Sequence, residues 1–160
     1  MKLKMAWQMA HYLGEIKEGG AVYLLGAGVR SLNAKPRAIM NKSVYINERN
    51  ASTMVTGYEN MYELDFDEIM DDGALNALMR VGEEQLTGDD ATFYYFRINL
   101  SEGSTGNMYP AKRIKVSCEL KEEKCAGGTE IKVGCNLHQL GNVDKGTFNI
   151  ASRSFVKSDE

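Results

Sequence analysis

Four segments between Ala91 and Val156 alternate apolar and polar residues with the period of a half-buried strand. Tyr94, Phe96, Ile98 and Leu100 share one face of the first segment, and Ile114, Val116, Cys118 and Leu120 one face of the second. Ile131, Val133, Cys135 and Leu137 form the third set, and Phe148 and Ile150 begin a shorter fourth. The breaks between segments are turn chemistry: Glu102-Gly103-Ser104-Thr105-Gly106, Ala126-Gly127-Gly128, and Gly141-Asn142 to Gly146. Connections this short favour antiparallel pairing, because parallel strands need a crossover of about a dozen residues or more. The expectation is an antiparallel meander with one apolar face.

The alternate positions carry Arg113, Lys115, Ser117, Glu119 and Lys121, then Glu130, Lys132, Asn136 and His138. These residues expect water. On composition they fit first a solvated outer sheet face, with the lining of an aqueous channel in an assembly as the sharper alternative. Alternation does not separate the two.

A chain of 160 residues is one domain's length and can bury a real core. Its charge is mixed, with a net value of -3 and no basic block of the kind a nucleic-acid footprint needs. Its apolar stretches fall well short of the ~18 residues that span a bilayer. Met1 to Ala10 carries two lysines, but its apolar run is too interrupted for a secretory signal, so cytosolic folding is expected. Three cysteines, Cys118, Cys125 and Cys135, cannot all pair within the chain. Cys118 and Cys135 fall on core-facing positions, and all three are expected to be reduced.

Ahead of the meander, Trp7 to Ile16 reads as a first strand, with a helical arm over Met5 to Leu13 as the alternative. Lys17-Glu18-Gly19-Gly20 is a hairpin turn, and Ala21 to Leu25 reads as a buried strand. Extended structure resumes at Val29 to Leu32, and Pro36 argues against a central strand there. Lys35 to Asn50 is polar and poor in core residues, and Ala51 to Thr56 suits an edge strand or an arm. Tyr62, Leu64 and Phe66 then alternate with Glu63, Asp65 and Asp67. One helix follows at about 72–81, capped by Asp71 or Asp72, with Leu75, Leu78 and Met79 as its buried stripe and Gly82 as its terminator.

Site chemistry is sparse. Gly26-Ala27-Gly28 is similar to the first turn of a dinucleotide site, but Ser31 replaces the third glycine and no amphipathic helix follows. Cys118, Cys125, Cys135 and His138 are enough ligands for zinc, yet Cys135 and His138 point to opposite faces of one strand. Glu63, Asp65, Asp67, Glu68, Asp71 and Asp72 lack the spacing of a calcium loop. Phe93, Tyr94, Tyr95 and Phe96 beside Arg97 read as core rather than a base-stacking platform. No catalytic residue, cofactor or metal site is expected.

The layout as a whole is more informative. A hairpin carries Val22-Tyr23-Leu24-Leu25-Gly26-Ala27-Gly28-Val29-Arg30-Ser31-Leu32, and a polar extended region leads to Asn50-Ala51-Ser52-Thr53-Met54-Val55-Thr56-Gly57-Tyr58. A strand and one helix end near Val81-Gly82-Glu83-Glu84, and the Tyr109-Pro110-Ala111-Lys112 strand start follows an aromatic strand. From about residue 12 to 155 this resembles the major tail tube proteins of long-tailed bacteriophages. It departs from them at Gly73, where relatives often carry proline.

The resemblance implies a mainly β subunit, an antiparallel β-sandwich or half-barrel with one flanking helix. It spans 1–160, with an N-terminal arm at 1–11 and an assembly loop at 35–58. It implies six-membered rings stacked into a hollow tube through which double-stranded DNA passes without specific binding. The same fold builds the inner tubes of contractile tails and of phage-like bacteriocins. Implied partners are further copies, tail terminator, tape measure and baseplate or initiator proteins, and in contractile tails a sheath. Implied localisation is the virion tail, made in the host bacterial cytoplasm, without membrane insertion. Candidate arm residues are Lys42, Val44, Tyr45, Ile46, Met54 and Val55, and the candidate lumen face is Arg113, Lys115, Glu119, Glu130 and Lys132. The competing readings are a small monomeric β-sandwich module binding carbohydrate or peptide, and, ranked last, an enzyme on a β-barrel.

Overall fold

A single long strand, β6 (Met108–Lys124), is the spine of the sheet. One of its edges pairs with β5 (Thr92–Asn99). Its other edge is shared in tandem by β8 (Asp144–Asn149) along Met108 to Arg113 and by β7 (Lys132–Gln139) along Val116 to Lys124. Beyond β5 lie β1 (Met9–Glu15) and β2 (Val22–Leu24), and beyond β7 lie β4 (Ser52–Asp67) and β3 (Val29–Ser43). The order is β2-β1-β5-β6-β7-β4-β3, with β9 (Ser154–Lys157) added outside β8, and every pair is antiparallel. The computed structural model describes residues 1–103 and 105–158, so the Ser104 part of the expected turn at 102–106 lies outside the described residues.

The sheet curls into a half-barrel. Tyr95 on β5 meets Tyr62 on β4 at 5.1 Å between ring centroids, although β6 and β7 separate those strands in the sheet. Helix α1 (Gly73–Glu83) packs on this inner face with Leu75, Leu78 and Met79, together with Ala74 and Val81. The large core joins them to Leu13, Leu64, Phe66, Ile114, Val116, Cys135 and Leu137. This is the stripe expected of the helix and of the second and third strand sets.

The expectation of one apolar face needs correction. Phe93 and Tyr95 of β5 face the large core, while Phe96 and Ile98 face a second core with Tyr12, Ala111 and Phe148. The hairpin β8–β9 crosses back over that outer face. Phe148 packs tilted against Tyr12 and Phe96 with ring centroids 4.8 and 5.2 Å away, and Arg153 Nη1 donates to the Val22 carbonyl at 3.0 Å. Strand β5 is therefore covered on both sides, which is why its sequence is a continuous aromatic run rather than a strict alternation.

Three local expectations change. Helix α1 starts at Gly73 with Asp72 as cap, Leu75 N donating to Asp72 Oδ1 at 3.0 Å, and it runs through Gly82 to Glu83. The left-handed turn falls instead on Gln85, at φ 52°. The first strand begins at Met9 after a short 3-10 turn at Ala6–Gln8, and β2 is only half-buried. Pro36 lies, as expected, outside any central strand: it is on β3, the edge of the sheet, where a missing N–H costs no ladder bond on the open side.

Candidate assembly surfaces

The region from 35 to 58, expected as an extended loop or arm with an edge strand at most over Ala51 to Thr56, is a two-stranded ribbon. β3 and β4 stay paired from Val29–Phe66 to Ser43–Ser52, but β7 supports β4 only from Met61 to Asp67. The outer half therefore projects with both edges open. Opposite Ile39 and Met40 the register shifts, leaving Thr56 as an extra residue whose Oγ1 donates to the Ile39 carbonyl at 3.2 Å. This bulge turns the β4 side chains over.

The bulge decides what the ribbon presents. On one side it brings together the cross-strand pairs Ala38–Tyr58 and Met40–Val55, and this side continues the inner face of the half-barrel through Ala34–Tyr62. Tyr58 and Met40 are 62% and 58% exposed, and the tip adds Val44, Tyr45 and Ile46, all exposed. Lys42 pairs with Thr53 on the same side as Met40, whereas Met54 points to the other. Among the described residues nothing covers these apolar side chains on the projecting ribbon.

The second surface is the polar outer face of β6, β7, β4 and β3. Lys115 and Glu119 of β6 and Lys132 of β7 lie there, exposed. The β4–β7 register sets Glu63 opposite Asn136 and Asp65 opposite Gly134, which extends the face to β4. His138 Nε2 meets Glu119 at 2.6 Å, and Lys35 pairs with Glu63. Hydrogen bonds from His138 and Lys35 hold the two carboxyls below the usual range for glutamate. Glu130 stands just before β7 and pairs with Arg30 at 2.8 Å. Arg113 is on the same side of β6 but at its other end, over the rings of Tyr94 and Phe155 and bonded to Asp144 at 2.9 Å. Asn136 is buried rather than wet. The additional residues Lys35, Glu63 and Asp65 carry the alternation signal in sequence, but only the strand order places them beside β7.

Among the described residues no group of three His, Cys, Asp or Glu could hold a metal ion. Cys118 and Cys135 are buried and share a thiol hydrogen bond at 3.3 Å with no disulfide between them, and Cys125 is exposed and separate from them. His11 Nδ1 lies 2.7 Å from Tyr95 Oη. Burial, then the charge of Arg97, lowers the His11 pKa to about 4, and burial raises that of Tyr95, so both stay neutral. Gly26-Ala27-Gly28 is a turn, with Gly28 at φ +76° and packed on the Asp67 carbonyl, where a side chain has no room. Among the described residues no helix is long and apolar enough to cross a membrane.

No protein-family model matches the chain, and no curated protein does. Among solved structures, the fold is similar to the SPP1 tail tube determined by solid-state NMR and cryo-EM. The TM-score is 0.66 at 10% identity, over 88% of this chain and 77% of that one. The six-fold symmetrised cryo-EM structure of the anti-feeding prophage baseplate aligns over 94% of this chain and 98% of that one, at 7% identity and a TM-score of 0.47. The likeness to the tail tube is one of fold.

Proposed function

We propose that the chain is a structural subunit of a phage or phage-like tail tube. Six copies close into a ring, and rings stack into a hollow tube that conducts the genome. The observation that carries this reading is the projecting β3–β4 ribbon, with open edges and an apolar stripe continuous with the inner sheet face, on a fold similar to that of a tail tube. Open strand edges and exposed apolar surface are liabilities for a monomer. Ring closure pairs the edges with neighbours and covers the stripe.

The polar face with Lys115, Glu119 and Lys132 supports a role as lumen lining, with Arg113 and Glu130 at its margins. Its signs are mixed, and Glu119, Glu130 and Arg113 are held in pairs with His138, Arg30 and Asp144. A continuous cationic lining would bind phosphates tightly and release them only at high salt. DNA sliding past this face meets little to hold it. Partners on this reading are further copies and the other proteins of a tail, and the site of action is the virion.

Negative-stain microscopy of the purified protein, alongside light scattering after size-exclusion chromatography, tests the proposal. Rings or tubes are the expected result. A monodisperse monomer at high concentration, at low and at physiological salt, overturns it.

A further inference from the structure

Four residues stand in register across the open end of the half-barrel. His11 on β1 pairs with Arg97 on β5, Arg97 with Lys112 on β6, and Lys112 with Lys145 on β8. His11 is neutral, so the row holds three cations on adjacent strands, about 4.8 Å apart per strand. Like charges placed directly opposite each other are destabilising. None of the three has an ion-pair partner among the described residues. The Arg97 guanidinium lies 5.4 Å from the centre of the Tyr62 ring, and its Nε is buried without a hydrogen-bond partner. Buried donors are nearly always satisfied, so an unpartnered one at a cationic row points to an absent anion.

The row opens into a concavity of about 520 Å³, lined by Lys4, Arg97, Lys112 and Lys145 and by the apolar Met9 and Pro110. Glu102 also lines it, held by Asn99 Nδ2 at 3.1 Å, so among the described residues cations outnumber acids there.

The opposite end of the strands carries the complement. The loop from β4 into α1, residues 68–72, sets Glu68 and Asp71 around Met70, which is 85% exposed, and Ile69, which is 37% exposed. It thus combines acidic groups with an unpartnered apolar side chain, as the concavity combines cations with an apolar floor. The two cannot meet within one subunit. Tyr62, beside Arg97, is six residues from Glu68 along β4, or about 20 Å of strand.

We infer that the concavity at the Arg97–Lys112–Lys145 row receives the 68–72 loop of a second copy, joined head to tail. Glu68 and Asp71 supply the carboxylates and Met70 enters between Met9 and Pro110. The contact is heterologous, and because its two surfaces lie at opposite ends of the strands it repeats along the strand direction as an open stack. The inference rests on the tube reading and names which ends of two subunits meet.

Carbodiimide cross-linking followed by peptide mass spectrometry tests it on the intact chain. Wild-type protein is expected to give cross-links from Glu68 or Asp71 to Lys112 or Lys145, and at about 20 Å within a subunit these must join two copies. A mouth variant, Lys112→Glu with Lys145→Glu, and a loop variant, Glu68→Lys with Asp71→Lys, are each expected to remain folded by circular dichroism. Each alone should lose association along this axis about tenfold or more. Mixing the two restores one junction, the loop variant's mouth with the mouth variant's loop, and isotope labelling of one partner identifies it. Rings that form but do not stack in either variant support the inference. Head-to-tail chains without rings support it while overturning the ring. Normal stacks from the mouth variant, a folded mixture that fails to pair, or wild-type assemblies without these cross-links overturn it and leave the tube reading standing.

Discussion

Gly82 on α1 faces Leu120 on β6 so closely that a Cβ built on the glycine would stand 2.0 Å from Leu120 Cδ2 and 2.8 Å from its Cβ. The glycine is there to let the helix approach the spine of the sheet, not to end the helix. Gly82→Ala should therefore destabilise the subunit by about 1–3 kcal/mol, because overpacking outweighs the gain in helix propensity of about 1 kcal/mol. Thermal unfolding checks it: the midpoint should fall by several degrees, and Leu120→Ala on the same background should return part of the loss. An unchanged or raised midpoint would mean that α1 shifts freely on β6.

The inner and outer faces of the meander predict unequal costs. Val133 and Ile114 are almost fully buried in the large core. Replacing either by Ala should cost about 1–4 kcal/mol in chemical denaturation. Lys132 and Lys115 are exposed on the other side, and replacing either by Ala should change stability by less than about 0.5 kcal/mol. If the lysine changes proved the costlier pair, the face assignment would be inverted.

How far the sequence carries the reader follows from the range of each signal. Period 2 at Ile114 to Leu120 and Val133 to Leu137, and the 3.6-residue stripe at Leu75, Leu78 and Met79, are local patterns, and those faces are where they were expected. The doubly covered β5 was not legible, because its second cover, Phe148 and Phe155, comes from a hairpin some fifty residues on whose pairing to β6 depends on long-range register. Gly82 misled because a glycine near a helix end signals termination, and only the structure reveals Leu120 beside it. Of the ribbon only Ala51 to Thr56 was expected as an edge strand or arm, because its pairs are mutual and exposed and no buried periodicity marks the rest. The arm residues themselves stood out by the reverse signal, apolar side chains in a stretch with no core to join.

The cysteines should differ sharply in reactivity. The Cys135 thiol is pushed well above its ordinary pKa by its hydrogen bond to Cys118 and by burial, whereas Cys125 is exposed. Under native conditions a thiol reagent at pH 8 should modify Cys125 first and leave Cys118 and Cys135 protected. Denaturing, non-reducing alkylation should then give three modified thiols. A Cys118–Cys135 disulfide in freshly purified protein would contradict this.

Burial also gives His11 a pH signature. Its pKa is lowered from 6.5 to about 4, so the unfolded chain binds this proton between those values and the folded chain does not. The stability it contributes is complete above 6.5 and is lost as pH falls toward 4, by at most about 3 kcal/mol. Glu63 and Glu119, whose carboxyls are held low by Lys35 and His138, begin to lose their contribution only below about 4.5. His11→Gln should therefore flatten the stability profile between pH 6.5 and 4.5 and leave the steeper acid limb in place. Denaturation midpoints at half-unit pH steps decide it, and an unchanged slope in that window would place the proton elsewhere.

The ribbon supplies the most direct prediction about assembly. Its outer pairs, from Pro36–Asn60 to Ser43–Ser52, have no third strand and no core beneath them. An isolated two-stranded hairpin is marginal in water, so its amides should exchange rapidly in the free subunit even though they are paired. In an assembled tube the same amides gain strand neighbours, and Met40, Val55 and Tyr58 gain cover. Ordering the ribbon at that moment carries an entropic cost, which keeps free subunits apart until a template offers contacts to offset it. Hydrogen exchange should show fast exchange across 35–58 in the monomer and strong protection in tubes, with β5 and β6 protected in both. Deleting Lys42 to Asn50 removes the tip and shortens the ribbon without touching either core, so the product should fold and fail to polymerise. Equal protection in the two states, or normal tubes from the deletion, would reduce the ribbon to a surface hairpin.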